Sequence, residues 1–421
     1  MLDIKRIIEN FDEVTKKLTS RGVSHSVMDE LKILINLRSE LMIKTQELKS
    51  KINNISKKVG ENKSKGIDCK NLFDDVSKYK DLLNEVSEEE KTTNLKVREM
   101  LLYIPNVPNN NTPIGKDESN NEVIYKKEDL GRGKVEGVIP HYEIGKKLDI
   151  LDFEKTVNLS ASRFWSYKND GAKLLRALQS FMLDEHTNNG YKEIIPPLLV
   201  NEETLVGTGN LPKFAEDLFH IREKNLYLIP TAEVPLTNFY ANSVLDLSTP
   251  LKLTAFTPCF RSEAGSGGKD MKGLIRAHQF YKVEIVKIVD QKDSASEYKK
   301  SFEDCANILE KLELPYQALR LCSGDIGFSA AETIDLEVWI PSEKRYRETS
   351  SISNFGDYQS RRAMLRYKDE DGKNKYAHTI NGSGLAIDRI IASILEIYQN
   401  NDGTIDVPKV LVKYMGKQKI M

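Results

Sequence analysis

Several patterns that define common protein classes are missing from this 421-residue chain. Its four cysteines are widely spaced without a CxxC pair, and its six histidines show no ligand-type spacing. We therefore expect reduced thiols, with neither zinc nor a disulfide framework. No stretch approaches the ~20 apolar residues that cross a bilayer, and the acidic start MLDIKRIIENFDEV is unlike a signal or transit peptide. The expectation is a cytoplasmic protein without membrane contact.

The usual phosphate-binding turns are also absent. There is no GxxxxGK[ST] segment and no GxGxxG after a strand. The glycine cluster Gly265, Gly267 and Gly268 lacks that spacing and by itself indicates only a mobile loop. A net charge of −1 excludes a wholly basic nucleic-acid-binding chain, so such a contact would need a local patch. If the chain uses ATP, it binds it on a sheet surface with arginines and a bridging metal ion.

The first hundred residues show a seven-residue apolar period, which is typical of helices that pack together. Apolar residues recur along 29–61, and Arg38 and Thr45 interrupt one seam. After the turn-like stretch GENKSKGIDCKN, a second run continues from Leu72 to Met100, with Glu90 and Thr93 at seam positions. Two such helices predict an antiparallel hairpin of roughly 45 Å.

The far end of this hairpin is rich in lysine. Only one acid, Glu61, accompanies six lysines between residues 49 and 66: Lys49, Lys51, Lys57, Lys58, Lys63 and Lys65. A basic tip suits a phosphate backbone, because neutralised phosphates release counterions. A solvated tip on a dimerisation or spacer hairpin fits the composition equally well.

The Pro/Asn-rich segment 103–122 is predicted to be a linker, which divides the chain into residues 1–108 and 109–421. Beyond it, the patterns predict helices around 171–189, 294–313 and 383–399 and strands at 251–260, 278–289, 333–340 and 345–352. Strands clustered between helices indicate an antiparallel α+β domain.

The stretch 257–284, TPCFRSEAGSGGKDMKGLIRAHQFYKVE, carries the most chemical information. Two strands joined by a Gly-rich connector would place its arginines, acids, His278 and Phe280 on one surface. Such a surface could bind a polyphosphate, a flat base and a small polar ligand together. Arg276 and His278 fit a cross-strand surface position equally well.

Several longer segments resemble the seryl-tRNA synthetases, class II aminoacyl-tRNA synthetases of the bacterial type. GYKEIIPPLLVN (190–201) resembles class motif 1, FRSEAGS…RAHQFYKVE motif 2, and NGSGLAIDRI (381–390) motif 3. GTGNLPKFAEDLF (207–219), PTAEVPLTN (230–238) and NVPNNNTPIGKDE are similar to seryl-type segments. The resemblance implies a six- or seven-stranded antiparallel sheet flanked by helices, preceded by a coiled-coil arm that grips the tRNA.

The resemblance implies a serine–tRNA ligase that activates L-serine with ATP and transfers it to tRNA(Ser), and also to tRNA(Sec). It further implies Mg²⁺ as cofactor and a homodimer. Two alternatives have different features. A synthetase-like paralogue that loads a small amino acid onto a carrier protein would lack the arm, and a coiled-coil structural protein would not need the intact set of charged residues.

The resemblance also implies the ATP-binding residues. Arg261 is expected at the α-phosphate and the attacking carboxylate, since its fork bridges two oxyanions. Glu263 is expected to accept from the adenine amino group, with Phe280 stacked on the base and Arg389 at the γ-phosphate. On the bare sequence, Arg389 fits a helix-surface arginine paired with Asp388 or Glu396. The remaining ATP-binding predictions are Ser262, Glu348, Thr349, Ser350 and Ser351.

Glu348 and Ser351 are predicted to hold Mg²⁺ along the nucleotide, because Mg²⁺ prefers oxygen ligands. The predicted serine pocket is Thr231, Ala232, Glu233, Glu284, Asn381 and Ser383. Glu284, an acid inside the apolar run VEIV, is expected to accept the serine hydroxyl and so to reject alanine. Arg261, Arg389 and Glu284 are the predicted catalytic residues.

Overall fold

A computed structural model describes residues 1–264 and 272–421, so the glycine cluster at 265–268 lies outside the described residues. The chain forms two compact units. Leu2–Ile104 form one, and Pro105–Met421 together with Met1 form the other. None of the helices in the described ranges is long and apolar enough to cross a membrane.

The smaller unit is entirely helical. Its helices are α1 (Ile4–Glu9), α2 (Phe11–Thr19), α3 (His25–Ser64) and α4 (Lys70–Tyr103). The Ser24 hydroxyl caps α3 by accepting from the Val27 amide at 3.4 Å. With 40 residues, α3 spans about 60 Å. It is longer than expected because the helix continues through Gly60.

Apolar and polar residues alternate along the seam between α3 and α4. Leu41, Leu48 and Val86 form a buried apolar cluster. The polar residues that interrupt the period bond with each other: Thr45 Oγ1 donates to Glu90 Oε2 at 2.7 Å, and Arg38 Nε donates to Asn94 Oδ1 at 2.5 Å. Paired polar groups in a seam oppose sliding, because a shifted register would leave them unpaired. The predicted hairpin is therefore present, with its register fixed by these pairs.

The six predicted tip lysines are all exposed. Two of them face aromatic rings of α4: Lys51 Nζ lies 5.8 Å from the Tyr79 ring centre, and Lys63 Nζ lies 5.1 Å from that of Phe73. The turn between the helices uses Gly66 at φ +68°, which favours glycine.

The larger unit mixes helices and strands. Its helices are α5 (His141–Lys147), α6 (Glu154–Leu159), α7 (Asn169–Asn188), α8 (Glu202–Thr208), α9 (Glu233–Asn238), α10 (Ser294–Lys311), α11 (Tyr358–Ala363), α12 (Ile387–Ile397) and α13 (Val412–Met415). Single 3₁₀ turns occur at Glu118–Asn120, Ala215–Asp217, Arg222–Lys224, Gln291–Asp293, Pro341–Glu343 and Lys409–Leu411.

The strands are β1 (Glu122–Lys127), β2 (Leu151–Asp152), β3 (Ser166–Tyr167), β4 (Lys192–Glu193), β5 (Leu199–Val200), β6 (His220–Ile221), β7 (Leu226–Leu228), β8 (Val244–Leu245), β9 (Leu251–Phe260), β10 (Gln279–Val289), β11 (Tyr316–Arg320), β12 (Glu332–Ile340), β13 (Arg345–Gly356), β14 (Arg366–Lys368), β15 (Asn374–Tyr376), β16 (His378–Ala386), β17 (Ile405–Asp406) and β18 (Lys419–Ile420). Eight of them form one sheet in the order β1-β11-β12-β13-β16-β10-β9-β4. Neighbours are antiparallel except the short pair β4 and β9, which is parallel. The α+β prediction is confirmed, with one strand more than the six or seven expected.

The two faces of β10 have different roles. Val283 and Ile285 are buried in the core that the sheet forms with α7, α10 and α12. On the other face, Phe280, Lys282 and Glu284 project at every second position, as the pleat requires. This face is where the site is built.

The predicted strands lie within one or two residues of β9, β10 and β12, and β13 runs on to Gly356. The predicted helix 383–399 is wrong at its start. Residues 383–386 are the end of β16, and α12 begins only at Ile387. Small and apolar residues around Gly384 do not by themselves distinguish a buried strand end from a helix start.

We predict that Leu48→Ala loosens the arm locally. Removing a buried leucine side chain leaves a cavity and lowers the free energy of local opening by about 2–5 kcal/mol, so amides of 79–93 should exchange faster. Hydrogen exchange read by mass spectrometry measures this. Leu95→Ala, at a position 55% exposed, is the control. Equal exchange in both variants would contradict the seam packing.

Candidate active site

Two adjoining cavities open on the polar face of β10, β13 and β16. The first has a volume of about 320 Å³ and the second about 210 Å³. Both are lined by Arg261, Lys282, Glu348 and Ser383. The shared lining means that a ligand could extend from one cavity into the other.

A buried charged pair forms the floor of the first cavity. Lys282 Nζ and Glu284 Oε2 form an ion pair, and Glu284 is 1% exposed. Thr231 bonds to both, since its hydroxyl donates to Glu284 Oε2 at 2.9 Å and accepts from Lys282 Nζ at 2.9 Å. Burial raises the pKa of Glu284 against the opposing pull of Lys282. The carboxylate is thus held in one orientation at the cavity wall.

A second acid, Glu233, lines the same cavity. Its Oε1 accepts from Gln359 Nε2 at 2.7 Å, and Gln359 Oε1 in turn accepts from the Thr379 hydroxyl at 2.7 Å. Burial, together with the nearby charge of Glu284, raises the pKa of Glu233 to about 7. The cavity can therefore attract a small cation such as an ammonium group, and it can exchange a proton near neutral pH.

Sheet register brings two more predicted residues to this wall. Ser383 lies opposite Glu284 across the β10–β16 ladder, and Asn381 lies opposite Val286. Directly opposed residues share a face of an antiparallel sheet. Both line the first cavity, whose lining also includes Thr208, Gly209, Asn210, Phe214, Gly327, Phe328, Ser329 and Ala330.

The second cavity combines a guanidinium group with an aromatic ring. The guanidinium carbon of Arg261 lies 5.1 Å from the ring centre of Phe280, and Arg261 Nε donates to the Pro230 carbonyl at 3.3 Å. Arg261 is otherwise exposed to both cavities. A flat ring beside a cation suits a base with an attached phosphate.

Glu263 and Arg276 both line the second cavity and form an ion pair at 2.5 Å. Glu263 has φ +52°, an uncommon value for a non-glycine residue. The predicted adenine acceptor is thus engaged by an arginine in this structure, so an amino group would have to share or replace that contact. His278 lies beside them, its Nδ1 3.0 Å from the Arg261 carbonyl oxygen.

Arg389 lies at the other side of the second cavity. Its Nε donates to the Ile275 carbonyl at 3.2 Å, and its Nη1 lies 3.7 Å from Glu348 Oε2. The alternative in which Arg389 pairs with Asp388 or Glu396 is not observed, because both acids have other partners. Asp388 accepts from Trp165, Tyr167 and the Tyr281 amide, and Glu396 from His141 and Ser342. Arg389 therefore faces the cavity.

The predicted metal-binding pair, Glu348 and Ser351, lines the first cavity. Ser351 lies opposite the buried Asp335, whose Oδ1 has no hydrogen-bond partner among the described residues. Burial, with the charge of Glu348 next, raises the pKa of Asp335. A carboxylate, a hydroxyl and an unsatisfied buried carboxylate oxygen are donors that fit Mg²⁺. Among the described residues, no three His, Cys, Asp or Glu side chains form a metal-binding group.

Four predicted residues line neither cavity: Ala232, Ser262, Thr349 and Ser350. The Ser262 hydroxyl donates to the Glu216 carbonyl, and that of Thr349 donates to the Leu336 carbonyl at 3.1 Å. The hydroxyls of Ser262 and Thr349 therefore bind backbone carbonyls and do not face a cavity.

Sequence reasoning missed Lys282, Gln359 and Asp335. Lys282 had a detectable signal, because it sits between Phe280 and Glu284 at the same two-residue spacing. Gln359 had none, since α11 joins the site only through tertiary packing.

Two family models match the chain. The seryl-tRNA synthetase N-terminal domain matches residues 1–108, and the tRNA synthetase class II core domain (G, H, P, S and T) matches residues 217–398. A serine–tRNA ligase of Metamycoplasma arthritidis is 54% identical over 99% of this chain and 98% of the relative. One of Mycoplasmopsis agalactiae is 52% identical over 100% of both.

Solved structures agree with these matches. Seryl-tRNA synthetase of Pyrococcus horikoshii, complexed with ATP, superposes with a TM-score of 0.93 at 33% identity, covering 100% of this chain and 99% of the other. The cytoplasmic serine–tRNA ligase of Naegleria fowleri, in complex with AMP, gives 0.89 at 26% identity, covering 100% and 98%.

We predict that Glu284→Gln lowers the pKa of Glu233 from about 7, because it removes a nearby like charge. Carbon-13 NMR of carboxyl-labelled glutamate measures this, with Glu233→Gln identifying the signal. An unchanged or higher pKa in Glu284→Gln would contradict the coupling of the two acids.

Proposed function

The chain belongs to the seryl-tRNA synthetase family, and from this premise we propose that it is a serine–tRNA ligase. It would activate L-serine with ATP to seryl-adenylate and pyrophosphate, and then transfer the seryl group to tRNA(Ser). The observation that carries the proposal is the pair of adjoining cavities, one with the buried acids Glu233 and Glu284 in its lining, the other lined by guanidinium groups and Phe280.

The first cavity suits serine. Glu233 in its ionised form would supply the charge that an ammonium group needs, with Thr231 beside it. Glu284, held by Lys282 and Thr231, would accept a hydrogen bond from the serine hydroxyl. Alanine would leave that acceptor without its partner. The wall formed by Asn381 and Ser383 would reject the extra methyl of threonine.

The second cavity suits ATP. The adenine would stack on Phe280, and Arg261, which lines both cavities, would bridge the α-phosphate and the serine carboxylate. Arg389 would hold the γ-phosphate. Activation joins an anion to a polyanion, so these arginines lower the barrier by neutralising charge and aligning the attack.

Glu348 and Ser351 would hold Mg²⁺, and the orphaned oxygen of Asp335 supports an oxygen-donor site there. When bound, the ion would neutralise phosphate charge. Glu348, which lines both cavities and lies 3.7 Å from Arg389 Nη1, would present its carboxylate where the cavities adjoin.

The helical arm would bind tRNA. Six exposed lysines at its tip, two of them beside aromatic rings, support contact with a phosphate backbone. We propose residues 1–108 as the tRNA-binding domain and 109–421 as the catalytic domain, with tRNA(Sec) as a further substrate.

A homodimer in the cytoplasm completes the proposal. Ile195, in the segment that resembles class motif 1, is 89% exposed, and Leu199 in the same segment is 38% exposed. Exposed apolar residues of this kind support an interface between two copies.

Serine-dependent pyrophosphate exchange tests the function. We expect exchange with serine alone among the amino acids, followed by charging of tRNA(Ser). Exchange without charging would favour the carrier-loading paralogue, and no exchange would favour a structural protein.

Glu284→Ala should raise the KM for serine roughly 10- to 100-fold, because a hydrogen bond to a charged group is lost. The KM for ATP should stay within about twofold of the wild-type value. The serine KM of Glu284→Gln should lie between those of the wild type and Glu284→Ala. Exchange kinetics measure this. An unchanged serine KM in Glu284→Ala would reject the pocket role.

Replacing Lys57, Lys58 and Lys63 with serine should weaken tRNA binding. The slope of the logarithm of the affinity against the logarithm of the salt concentration should fall in magnitude by about one for each lost phosphate contact. Titrations at several salt concentrations measure the slope. The control replaces Lys299, Lys373 and Lys409, which are exposed on the larger unit. An identical slope in both variants would argue against a tip that binds phosphate.

A further inference from the structure

A buried histidine–glutamate pair lies beside the second cavity, outside the residues assigned above. His141, at the start of α5, is 1% exposed, and Glu396, near the end of α12, is 0% exposed. His141 Nδ1 and Glu396 Oε1 are 2.7 Å apart, and Ser342 donates to both oxygens of Glu396 from its amide and its hydroxyl, each at 2.8 Å. Burial would raise the pKa of Glu396, but these hydrogen bonds outweigh it and hold that pKa below its usual value.

The other ring nitrogen of His141 reaches the cavity wall. The Leu274 amide donates to His141 Nε2 at 3.0 Å. An amide N–H can only donate, so Nε2 must accept, and the ring proton must lie on Nδ1, where Glu396 accepts it. The pair thus selects the one neutral tautomer that can hold Leu274.

The His141 ring also lies close to Gly273, the residue before Leu274. A Cβ added to Gly273 would lie 2.2 Å from His141 Nε2, and Gly273 has φ +76°. Only glycine allows the backbone of 273–274 to approach the imidazole this closely. The close contact between His141 and residues 273–274 therefore depends both on the tautomer of His141 and on a glycine at position 273.

The segment that His141 contacts also contacts a predicted ATP-binding residue. Leu274, Ile275 and Arg276 line the second cavity, and the Ile275 carbonyl accepts from Arg389 Nε at 3.2 Å. Arg389 and Glu396 both belong to α12. One helix therefore holds the segment 273–276 at two points, directly through Arg389 and indirectly through His141.

We propose that His141 is a positioning residue for ATP binding, which fixes the segment 273–276 and through it the orientation of Arg389. The proposal rests on the proposed function, since it assigns ATP to the second cavity. His141 touches no substrate itself. Its effect should therefore appear in ATP binding and leave serine binding unchanged.

Two variants separate the two ring nitrogens. In His141→Asn, an amide near the Nδ1 position can still donate to Glu396, but no atom reaches Leu274. In His141→Gln, the amide oxygen can lie near the Nε2 position and accept from Leu274. We expect the KM for ATP in pyrophosphate exchange to rise about tenfold in His141→Asn, with the serine KM within twofold, and to recover largely in His141→Gln.

Ser342→Ala is the matched control, because it removes a donor to the same buried Glu396 without touching Leu274. It should lower the melting temperature and leave the KM for ATP unchanged. If His141→Asn does not fold, Gly273→Ala replaces it, since that change alters neither side chain of the His141–Glu396 pair and strains the backbone of the segment where it meets the ring.

An unchanged ATP KM in His141→Asn, equal rises in the KM for ATP and for serine, or an equal rise in the ATP KM in Ser342→Ala would each overturn the proposal. Wild-type protein without serine-dependent exchange would instead reject the proposed function. Direct titration with ATP, followed by the fluorescence of Trp165 at the second cavity, checks the binding step separately.

Discussion

The pairing of Lys282 with Glu284 is the constraint on which the rest of the site depends. Both groups are at least nine-tenths buried, and an unpaired charge at that depth would be strongly destabilising. The two residues stand two apart on β10, so they share a face, and Thr231 bonds to both. The opposite face of β10, with Val283 and Ile285, packs into the core and keeps the strand in place.

The same sheet gives the two cavities their different chemistry. Toward the middle of β10, Glu284 faces Ser383, and acids dominate. Toward its start, Phe280 lies under the guanidinium group of Arg261. Arg261 and Glu348 line both cavities. A small cationic ligand and a polyphosphate can therefore meet at this junction on side chains of the sheet.

Features set by local periodicity could be predicted from the sequence. The seam of α3 and α4 and the strands β9 and β10 follow from spacing alone, and the polar interruptions Arg38 and Thr45 signalled where the seam changes. Features set by tertiary packing could not. Nothing local marks Gln359 as a partner of Glu233, or Leu274 as a partner of His141. The start of α12 was misplaced because the apolar end of β16 is compatible with both helix and strand.

The most direct test of this account is a crystal structure with a non-hydrolysable seryl-adenylate analogue. We expect the serine hydroxyl within hydrogen-bond distance of Glu284, the adenine on Phe280, and Arg261 at the bridging phosphate mimic. A ligand bound elsewhere, or a Glu284 carboxylate that stays on Lys282 and Thr231 and makes no contact with the hydroxyl, would contradict it.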